Sequence, residues 1–422
     1  MGGQRTVDGI DLSDIASFWT SPLAERGDAF ARLRAEHPVA FFDEPELPFA
    51  SRGPGFYAVT RWDDVVGASR RPDIFRSGSG STGIVDLPVE LLEFFGSMIN
   101  MDDPRHGRLR RIVSRGFTPR RVAGLRCAVE RTARQIVDDI IDRGECDIVT
   151  DVAARLPLAI ICDLMGIPDS QYSFVLDRSN VVLGSQDPEY VPEGTDGAAA
   201  LFGAAADLAE LVKDLAAVRA QRPTDDLTSV LAGAEIDGER LTPDELASFF
   251  ILLVVGGNET TRTAISWGVH ALTQHPDQQA AWAADIEGLA RGAVEEVVRW
   301  ASPVIFMRRT LAQPFELGGH RLVTGDKVAL FYWSANRDER YFADPETFDI
   351  RRDPNPHVGF GGSGPHFCLG AHLARQEIAV MFGELLRRLP DLHTTGEPQR
   401  LQSMFINGVK RLPAAFTPGG TP

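Results

Sequence analysis

The chain has few cysteines, no excess of positive charge and no long apolar run. Its 422 residues include four cysteines, and no two of them form a CxxC pair or a zinc-finger spacing. The net charge of −16 argues against a nucleic-acid-binding protein, because phosphate binding requires clustered cations. The longest strongly apolar run, residues 249–255, is far too short to span a bilayer. Since no apolar signal segment is visible near the start either, we predict a cytoplasmic protein without a membrane anchor.

The composition is that of a globular protein with a large core, with 43% hydrophobic and 24% charged residues. No repeat or low-complexity linker divides it, so we predict one domain over residues 1–422. Helical periodicity extends from Thr118 to about Arg143, from Ala198 to Arg222, from Thr242 to His275 and from Leu369 to about Leu389. A hairpin is predicted within residues 315–322 and a strand within 327–333. The predicted fold class is mainly α with a minor β portion.

One of the four cysteines lies in an unusual setting. Cys127 and Cys162 are surrounded by helical apolar residues and are predicted to be small core hydrophobes, while Cys146 is unremarkable. Cys368 instead follows a loop with glycines at 359, 361, 362 and 364, and it begins a helix. Glycine lets a backbone approach a bulky planar ligand, and a helix start stabilises a thiolate. A low-pKa thiolate here could be a nucleophile, a redox thiol or a metal ligand.

The longest predicted helix is interrupted in its middle. Gly256 and Gly257 each cost about 1 kcal/mol relative to alanine in a helix. Close helix packing explains one glycine, but it does not explain why Glu259, Thr260 and Thr261 follow directly. A buried acid needs compensation, and a threonine that bonds back to its helix bends it. An acid and an alcohol beside a kink indicate proton delivery.

Two further motifs are weak when taken alone. Glu296 and Arg299 are spaced i,i+3, as are many solvated pairs on helix surfaces. The segment from His106 to Arg110 would by default be a basic surface face.

Taken in order, the His-x-x-x-Arg helix, the Gly-Gly-x-Glu-Thr-Thr kink, the Glu-x-x-Arg pair and the glycine-rich cysteine loop resemble the cytochrome P450 superfamily. The resemblance extends from about Ala29 to Pro418. It implies the cytochrome P450 fold, a haem b cofactor and Cys368 as the thiolate that ligates the iron. It also implies that the enzyme uses O2 and receives electrons from a ferredoxin and a ferredoxin reductase.

The same resemblance assigns roles to other residues. Glu259 and Thr260 would deliver protons, and Glu296, Arg299 and Arg352 would form a structural triad. The haem, chiefly its propionates, would be bound by His106, Arg110, Arg309, His357 and His366, with Arg308 as an alternative to Arg309. Arginines flanking the cysteine side are predicted to form a basic patch that docks the ferredoxin: Arg105, Arg108, Arg111, Arg351 and Arg375.

The cysteine loop departs from the usual family pattern. Gly361 occupies the position that is usually aromatic, and Phe360 lies one residue earlier, which puts the packing role of Phe360 in doubt. This loop is similar to that of bacterial P450s acting on sterols and methyl-branched lipids. Glu259 stands where many relatives have Asp, and Gly256 where alanine is common.

The resemblance also places a hydrophobic substrate pocket. Its predicted lining is Leu252, Val255, Gly256, Val304, Ile305, Phe306, Phe405 and Ile406. We therefore predict a monooxygenase that hydroxylates a steroid, terpenoid or branched lipid. An oxidative tailoring or coupling enzyme of natural-product assembly is the alternative. A haem sensor is disfavoured, because it would need no acid–alcohol pair.

Overall fold

The computed structural model describes residues 7–46, 53–86, 98–236 and 239–419. Helices make up 52% of the described residues and strands 12%, which confirms the predicted mainly-α class. The α-helices are α1 (Leu23–Glu36), α2 (Trp62–Ser69), α3 (Arg105–Val113), α4 (Pro119–Asp138), α5 (Arg155–Met165), α6 (Tyr172–Gly184), α7 (Gly197–Gln221), α8 (Leu227–Ala232), α9 (Pro243–Val254), α10 (Thr260–Gln274), α11 (Pro276–Ala284), α12 (Ile286–Ala301), α13 (Tyr332–Ala335) and α14 (Ala371–Arg388).

The strands are short and form one main sheet with several small ones. They are β1 (Val39–Phe42), β2 (Phe56–Val59), β3 (Phe75–Arg76), β4 (Glu145–Asp147), β5 (Glu235–Ile236), β6 (Glu239–Arg240), β7 (Phe306–Leu311), β8 (Phe315–Leu317), β9 (His320–Leu322), β10 (Lys327–Phe331), β11 (His393–Thr394), β12 (Gln399–Arg400), β13 (Val409–Arg411) and β14 (Pro413–Ala415). The main sheet has the order β1-β2-β10-β7-β3, with β2 and β10 parallel.

Alternate residues of the main sheet face two separate apolar layers, as the pleat of a strand requires. On one face, Phe42, Phe56 and Phe331 pack with residues of α1. On the other face, Val59 and Leu330 pack with residues of α2. A third and larger core lies among the helices. The sheet is therefore covered on both faces, while the long helices form a core of their own.

The longest predicted helix is present, but it is not uniform. Thr242 Oγ1 accepts the N–H of Glu245 at 3.1 Å, and the Glu245 carboxylate accepts the N–H of Thr242 at 3.0 Å. This capping box starts α9 where the sequence predicted. Between α9 and α10, the segment Val255–Glu259 is a π-turn. Such turns insert an extra residue into a helix and are frequent at functional sites.

Several predicted boundaries shift. The helix that starts after Thr118 ends at Asp138, short of Arg143, and the predicted strand over 327–333 ends where α13 begins. Cys127 is exposed, so the prediction that it is a core residue was wrong, whereas Cys162 is buried as expected. Among the described residues, no helix is both long enough and apolar enough to cross a membrane. The single-domain assignment stays a prediction.

Candidate active site

The glycine-rich loop needs its glycines mainly to fit against the protein itself. A β-carbon on Gly359 would lie 2.6 Å from a side-chain atom of α12, and one on Gly362 would lie 2.5 Å from Ser69 Oγ. One on Gly364 would clash with the carbonyl oxygen of Ser69. Gly361 has a φ of +89°, which favours glycine. Close packing against the protein thus explains Gly359, Gly362 and Gly364, and the backbone conformation explains Gly361. The expectation that the loop approaches a planar ligand stays a prediction.

Cys368 lies just before α14, where the N–H groups of Gly370 and Ala371 hydrogen-bond its sulfur. The side chain is exposed, yet the protein around it is dense enough for burial to raise the pKa of the thiol, despite Arg110 and Arg375 nearby. Burial thus opposes the N–H groups and the two arginines, which favour the thiolate. A nucleophile or redox thiol depends on a low pKa, whereas a metal deprotonates its own thiol ligand. This environment favours the metal-ligand interpretation.

Basic side chains gather beside Cys368. His106 is buried on α3, and its ring centroid lies 4.3 Å from that of His366. Arg110, one turn further along α3, donates a hydrogen bond of 2.5 Å to the carbonyl oxygen of the residue before the cysteine. Burial, Arg309 and His106 lower the pKa of His366 to about 2. His366 is therefore neutral at physiological pH, and the positive charge of this cluster lies on Arg110 and Arg309, which would favour an anionic ligand.

The geometry separates the two neighbouring arginines of β7. Arg308 forms an ion pair with Asp86 at 2.6 Å and donates to the carbonyl oxygen of Ser79 at 3.0 Å. Arg309 points to the other face of the strand, is buried, and donates to the Arg308 carbonyl oxygen at 2.7 Å. Within the described ranges, Arg309 pairs with no carboxylate. Of the two, only Arg309 retains a charge that an anionic ligand could neutralise.

His357 does not fit the role predicted for it. Its Nε2 lies 2.7 Å from Glu295 Oε2, and its Nδ1 accepts the N–H of Gly359 at 3.1 Å. Because both ring nitrogens are engaged, neither can bind a propionate. His357 instead belongs to a group with Glu295 and Arg375, whose Nε donates to Glu295 Oε1 at 2.5 Å.

The three residues of the predicted triad do meet. Arg299 donates to both carboxylate oxygens of Glu296 at 2.7 Å, and Arg352 Nε lies 3.2 Å from Glu296 Oε2. The Asp349 N–H and the Asn355 amide complete the shell around this carboxylate. Burial opposes its ionisation, but Arg299 holds the pKa of Glu296 below its usual range. Since Glu296 and Arg299 are fully buried, this is not a solvated surface pair.

The two glycines of the π-turn have different reasons to be glycine. A β-carbon on Gly257 would lie 2.5 Å from Ile161 Cδ1 on α5, so this position is restricted by helix packing. A β-carbon on Gly256 would meet no atom within 4 Å, and Gly256 is exposed although it lies in the middle of the long helix. Thr260 Oγ1 donates to the Gly256 carbonyl oxygen at 2.6 Å. Gly256 and Thr260 thus mark an open side of the helix.

Glu259 is compensated by a residue that the sequence reasoning missed. Arg262, one turn along α10, forms a close ion pair with the Glu259 carboxylate, and both side chains are buried. Arg262 Nη1 also donates to Asn180 Oδ1 on α6 at 2.8 Å. Glu259 Oε1 has no hydrogen-bond partner among the described residues. The i,i+3 spacing of this pair could have identified it.

The predicted pocket lining divides into two groups. Some of its members remain at least partly exposed, namely Leu252, Val255, Gly256, Val304 and Phe405. The others are buried, namely Ile305, Phe306 and Ile406. The ring of Phe306 packs 5.3 Å from Phe331 and 5.6 Å from Phe405. Ile305 and Phe306 are core residues beside the sheet, so placing them on the pocket surface was wrong.

Three arginines of the predicted basic patch pair with carboxylates. Arg105 and Arg108 both reach Glu245 Oε1, at 3.5 Å and 2.9 Å, and Arg375 pairs with Glu295. Because Arg105 and Arg108 share one carboxylate, Glu245 alone does not neutralise both of them, and the docking of a ferredoxin on this patch stays a prediction. Arg111 and Arg351 are exposed.

These observations test whether the residues fit an iron porphyrin. His106 Nε2 is buried without a hydrogen-bond partner among the described residues, and Arg309 is a buried cation without a carboxylate. Two carboxylates of a ligand would satisfy such groups. Cys368 supplies a sulfur donor, and Gly256 leaves open space on the long helix. The donor set therefore fits a haem with its propionates directed towards His106 and Arg309.

Comparison with known proteins gives consistent matches. The family profile described as Cytochrome P450 matches residues 198–410. The chain is 51% identical over 414 residues to a methyl-branched lipid omega-hydroxylase of Mycobacterium tuberculosis, covering 97% of this chain and 95% of that protein. It is 40% identical to a steroid C26-monooxygenase of Rhodococcus jostii, covering 93% and 83% of the two chains.

A solved structure is also similar along almost its whole length. It is a Mycobacterium marinum cytochrome P450 in complex with pseudoionone, with 44% sequence identity and a TM-score of 0.92. The match covers 98% of this chain and 99% of that one.

Proposed function

The chain belongs to the cytochrome P450 family, and from this premise we propose that its substrate is a methyl-branched lipid, hydroxylated at the ω end. As a member of that family it is a haem-thiolate monooxygenase that acts on a hydrophobic molecule with O2 and redox partners. The proposed cofactor is haem b and the proposed electron donors are a ferredoxin and its reductase. The observation that carries the choice of substrate is the 51% identity over 97% of the chain.

The proposed cofactor site uses the residues that the cysteine loop and α3 bring together. Haem, when bound, supplies the iron that activates O2, with Cys368 as its thiolate ligand. His106, Arg110 and Arg309 hold the propionates, and His366 packs against His106. His357 takes no part in this contact, because both of its nitrogens are already bonded.

The proposed catalytic residues lie at the π-turn. The Thr260 hydroxyl donates its hydrogen bond to the Gly256 carbonyl oxygen, so Oγ1 can still accept a hydrogen bond from the pocket side. Glu259 Oε1 is buried and has no hydrogen-bond partner among the described residues, and we assign it the relay of protons to the site. Arg262 and its contact with Asn180 hold the Glu259 carboxylate in this position.

The pocket supports a lipid substrate. Leu252 lies one turn before Gly256 on the same side of the helix, and Val255 directly precedes Gly256. Both are partly exposed, as are Val304 and Phe405 on other segments. Such an apolar lining favours a hydrocarbon chain. The side chain missing at Gly256 leaves room for a branch point beside the reacting carbon.

The test is product analysis with matched lipids. Haem-loaded protein with NADH, a ferredoxin and its reductase is given a methyl-branched fatty acid and, separately, a straight-chain acid of equal carbon number. We expect the ω-hydroxy product, with the branched acid preferred in kcat/KM. Equal turnover of the two acids would contradict the branched-lipid assignment.

A steroid is the second candidate substrate, supported by the 40% identity to a steroid C26-monooxygenase and by the open space at Gly256. Under the same conditions a cholestane-type steroid serves as the competing substrate. Turnover of the steroid without turnover of the branched acid would replace the first proposal with the second.

A further inference from the structure

Glu295 is a partly buried acid on α12 to which the proposed function gives no role. It directly precedes Glu296, yet it points to different partners. Its carboxylate contacts His357 Nε2 at 2.7 Å and Arg375 at 2.5 and 3.0 Å. Burial opposes ionisation, but hydrogen bonds from His357 and Arg375 lower the pKa of Glu295 to about 2. The group is therefore charged at any physiological pH.

Both partners of Glu295 lead to the same short segment before the cysteine. His357 Nδ1 accepts the N–H of Gly359 at 3.1 Å, which fixes the beginning of the segment. The guanidinium carbon of Arg375 lies 4.3 Å from the ring centroid of Phe360, a cation–π contact that fixes its end. Glu295 thus anchors the residues 357–360 from two sides.

Phe360 is in turn hydrogen-bonded to the proposed iron ligand, Cys368. Its carbonyl oxygen accepts the N–H of Cys368 at 3.0 Å, and its ring centroid lies 6.5 Å from that of Phe367. The doubt about the packing of Phe360 is therefore resolved, because its ring is held by Arg375 and its backbone holds Cys368. A displacement of Phe360 would move the backbone that positions the sulfur.

We propose that Glu295 is a positioning residue for the haem thiolate, acting through His357 and Arg375 on Phe360 and so on Cys368. This inference rests on the proposed function, because it assumes that Cys368 ligates iron. Partners outside the first coordination sphere typically change metal affinity or activity about 10–100-fold when they are removed.

The extra glycine of the loop gives a physical reason for this anchor. Gly361, with a φ of +89°, follows Phe360 and has no side chain to pack. Residues 361–367 must then return the chain to Cys368 without an aromatic ring at the position usual in the family. The contacts that connect Glu295 to Phe360 fix the backbone at residue 360, where this segment begins. A surface ion pair with no such task would contribute little to stability and nothing to the cofactor.

The test compares Glu295→Gln with Glu287→Gln, a control on the same helix whose carboxylate pairs with the surface residue Arg387 at 2.6 Å. Two properties are measured on the haem-loaded proteins: the rate of haem transfer to apomyoglobin, and the fraction of the ferrous–CO adduct with the red-shifted Soret band of a thiolate. For Glu295→Gln we expect about tenfold faster haem transfer and a loss of part of the thiolate band. Glu287→Gln should match the unmodified protein in both.

A second variant, Arg375→Lys, covers the case in which Glu295→Gln loads no haem. Lysine keeps the ion pair with Glu295 but lacks the planar group that stacks on Phe360. We expect the same direction of change in band and transfer rate, with a smaller loss of thermal stability than in Glu295→Gln. If both variants only lower the unfolding temperature and keep the thiolate band and haem transfer rate, Glu295 has a merely structural role and the inference is wrong. If the unmodified protein itself shows no thiolate band, the proposed function fails and this inference fails with it.

Discussion

Replacing Gly256 with alanine would add one methyl group to the open side of the π-turn. Nothing lies within 4 Å of the position that this methyl would occupy, so no protein atom has to move. Glycine in a helix interior is less stable than alanine by roughly 0.5–1 kcal/mol, because it loses more backbone entropy on folding. We therefore expect Gly256→Ala to fold normally and to gain up to about 1 kcal/mol in free energy of unfolding.

The neighbouring glycine provides the matched control. Alanine at Gly257 receives the same entropic gain, but its β-carbon would lie 2.5 Å from Ile161 Cδ1, inside the helical core. Overpacking of this kind costs about 1–3 kcal/mol, even though the end of an isoleucine side chain can adjust. Gly257→Ala should therefore be less stable than Gly256→Ala in denaturant unfolding.

Substrate affinity should change in the opposite order, with Gly256→Ala weakened more than Gly257→Ala. If the lipid lies against Gly256, the new methyl occupies its space, and the same overpacking cost of about 1–3 kcal/mol weakens binding about 5- to 150-fold. The dissociation constant is measured from the Soret shift on adding a branched fatty acid. Gly257→Ala should bind the acid within a few-fold of the unmodified protein. A Gly256→Ala variant that is destabilised and binds the acid with unchanged affinity would refute the assignment of this surface to the pocket.

Three further changes test the cofactor and proton sites. Thr260→Ala should still bind substrate and consume NADH but release mostly hydrogen peroxide. Thr261 is buried and lies about 100° further round the helix, so Thr261→Ala should still couple NADH consumption to product formation. The measurement is product formed per NADH, and the opposite pattern would mean that the wrong threonine was assigned. Cys368→Ala should lose the thiolate band of the ferrous–CO adduct, and Cys127→Ala should keep it. Glu296→Ala leaves buried cations unpaired and should cost about 3–5 kcal/mol, seen as lost haem content; near-normal loading would contradict it.

The sequence predicted best the features that depend on residues close together in the chain. The capping box of Thr242 and Glu245 needs residues three apart, and α9 starts where it was expected. The Glu296–Arg299 pair has the same spacing and is present at 2.7 Å. The resemblance to the family then added Arg352, which no local spacing links to the pair. Local spacing together with the family resemblance thus predicted which residues form this buried network.

The sequence could not determine which face of a strand each side chain occupies. Arg308 and Arg309 are equally basic, and only the pairing of β7 with β10 and β3 determines which of them meets Asp86. Ile305 and Phe306 were placed in the pocket because apolar residues suit either a pocket or a core. Their burial follows from an aromatic cluster that includes residues far away in the chain, such as Phe331.

The thiol environment of Cys368 shows why long-range contacts matter most at this site. Helix-start N–H groups and nearby arginines favour a thiolate, and these are the features that a sequence reveals. Burial opposes them and prevails, so the pKa is raised, and burial depends on the whole fold. The contacts that fix the loop are equally non-local, since Glu295 is separated from His357 by 62 positions and from Arg375 by 80. A sulfur that is reluctant to ionise alone but rigidly held is suited to a ligand whose charge the metal itself stabilises.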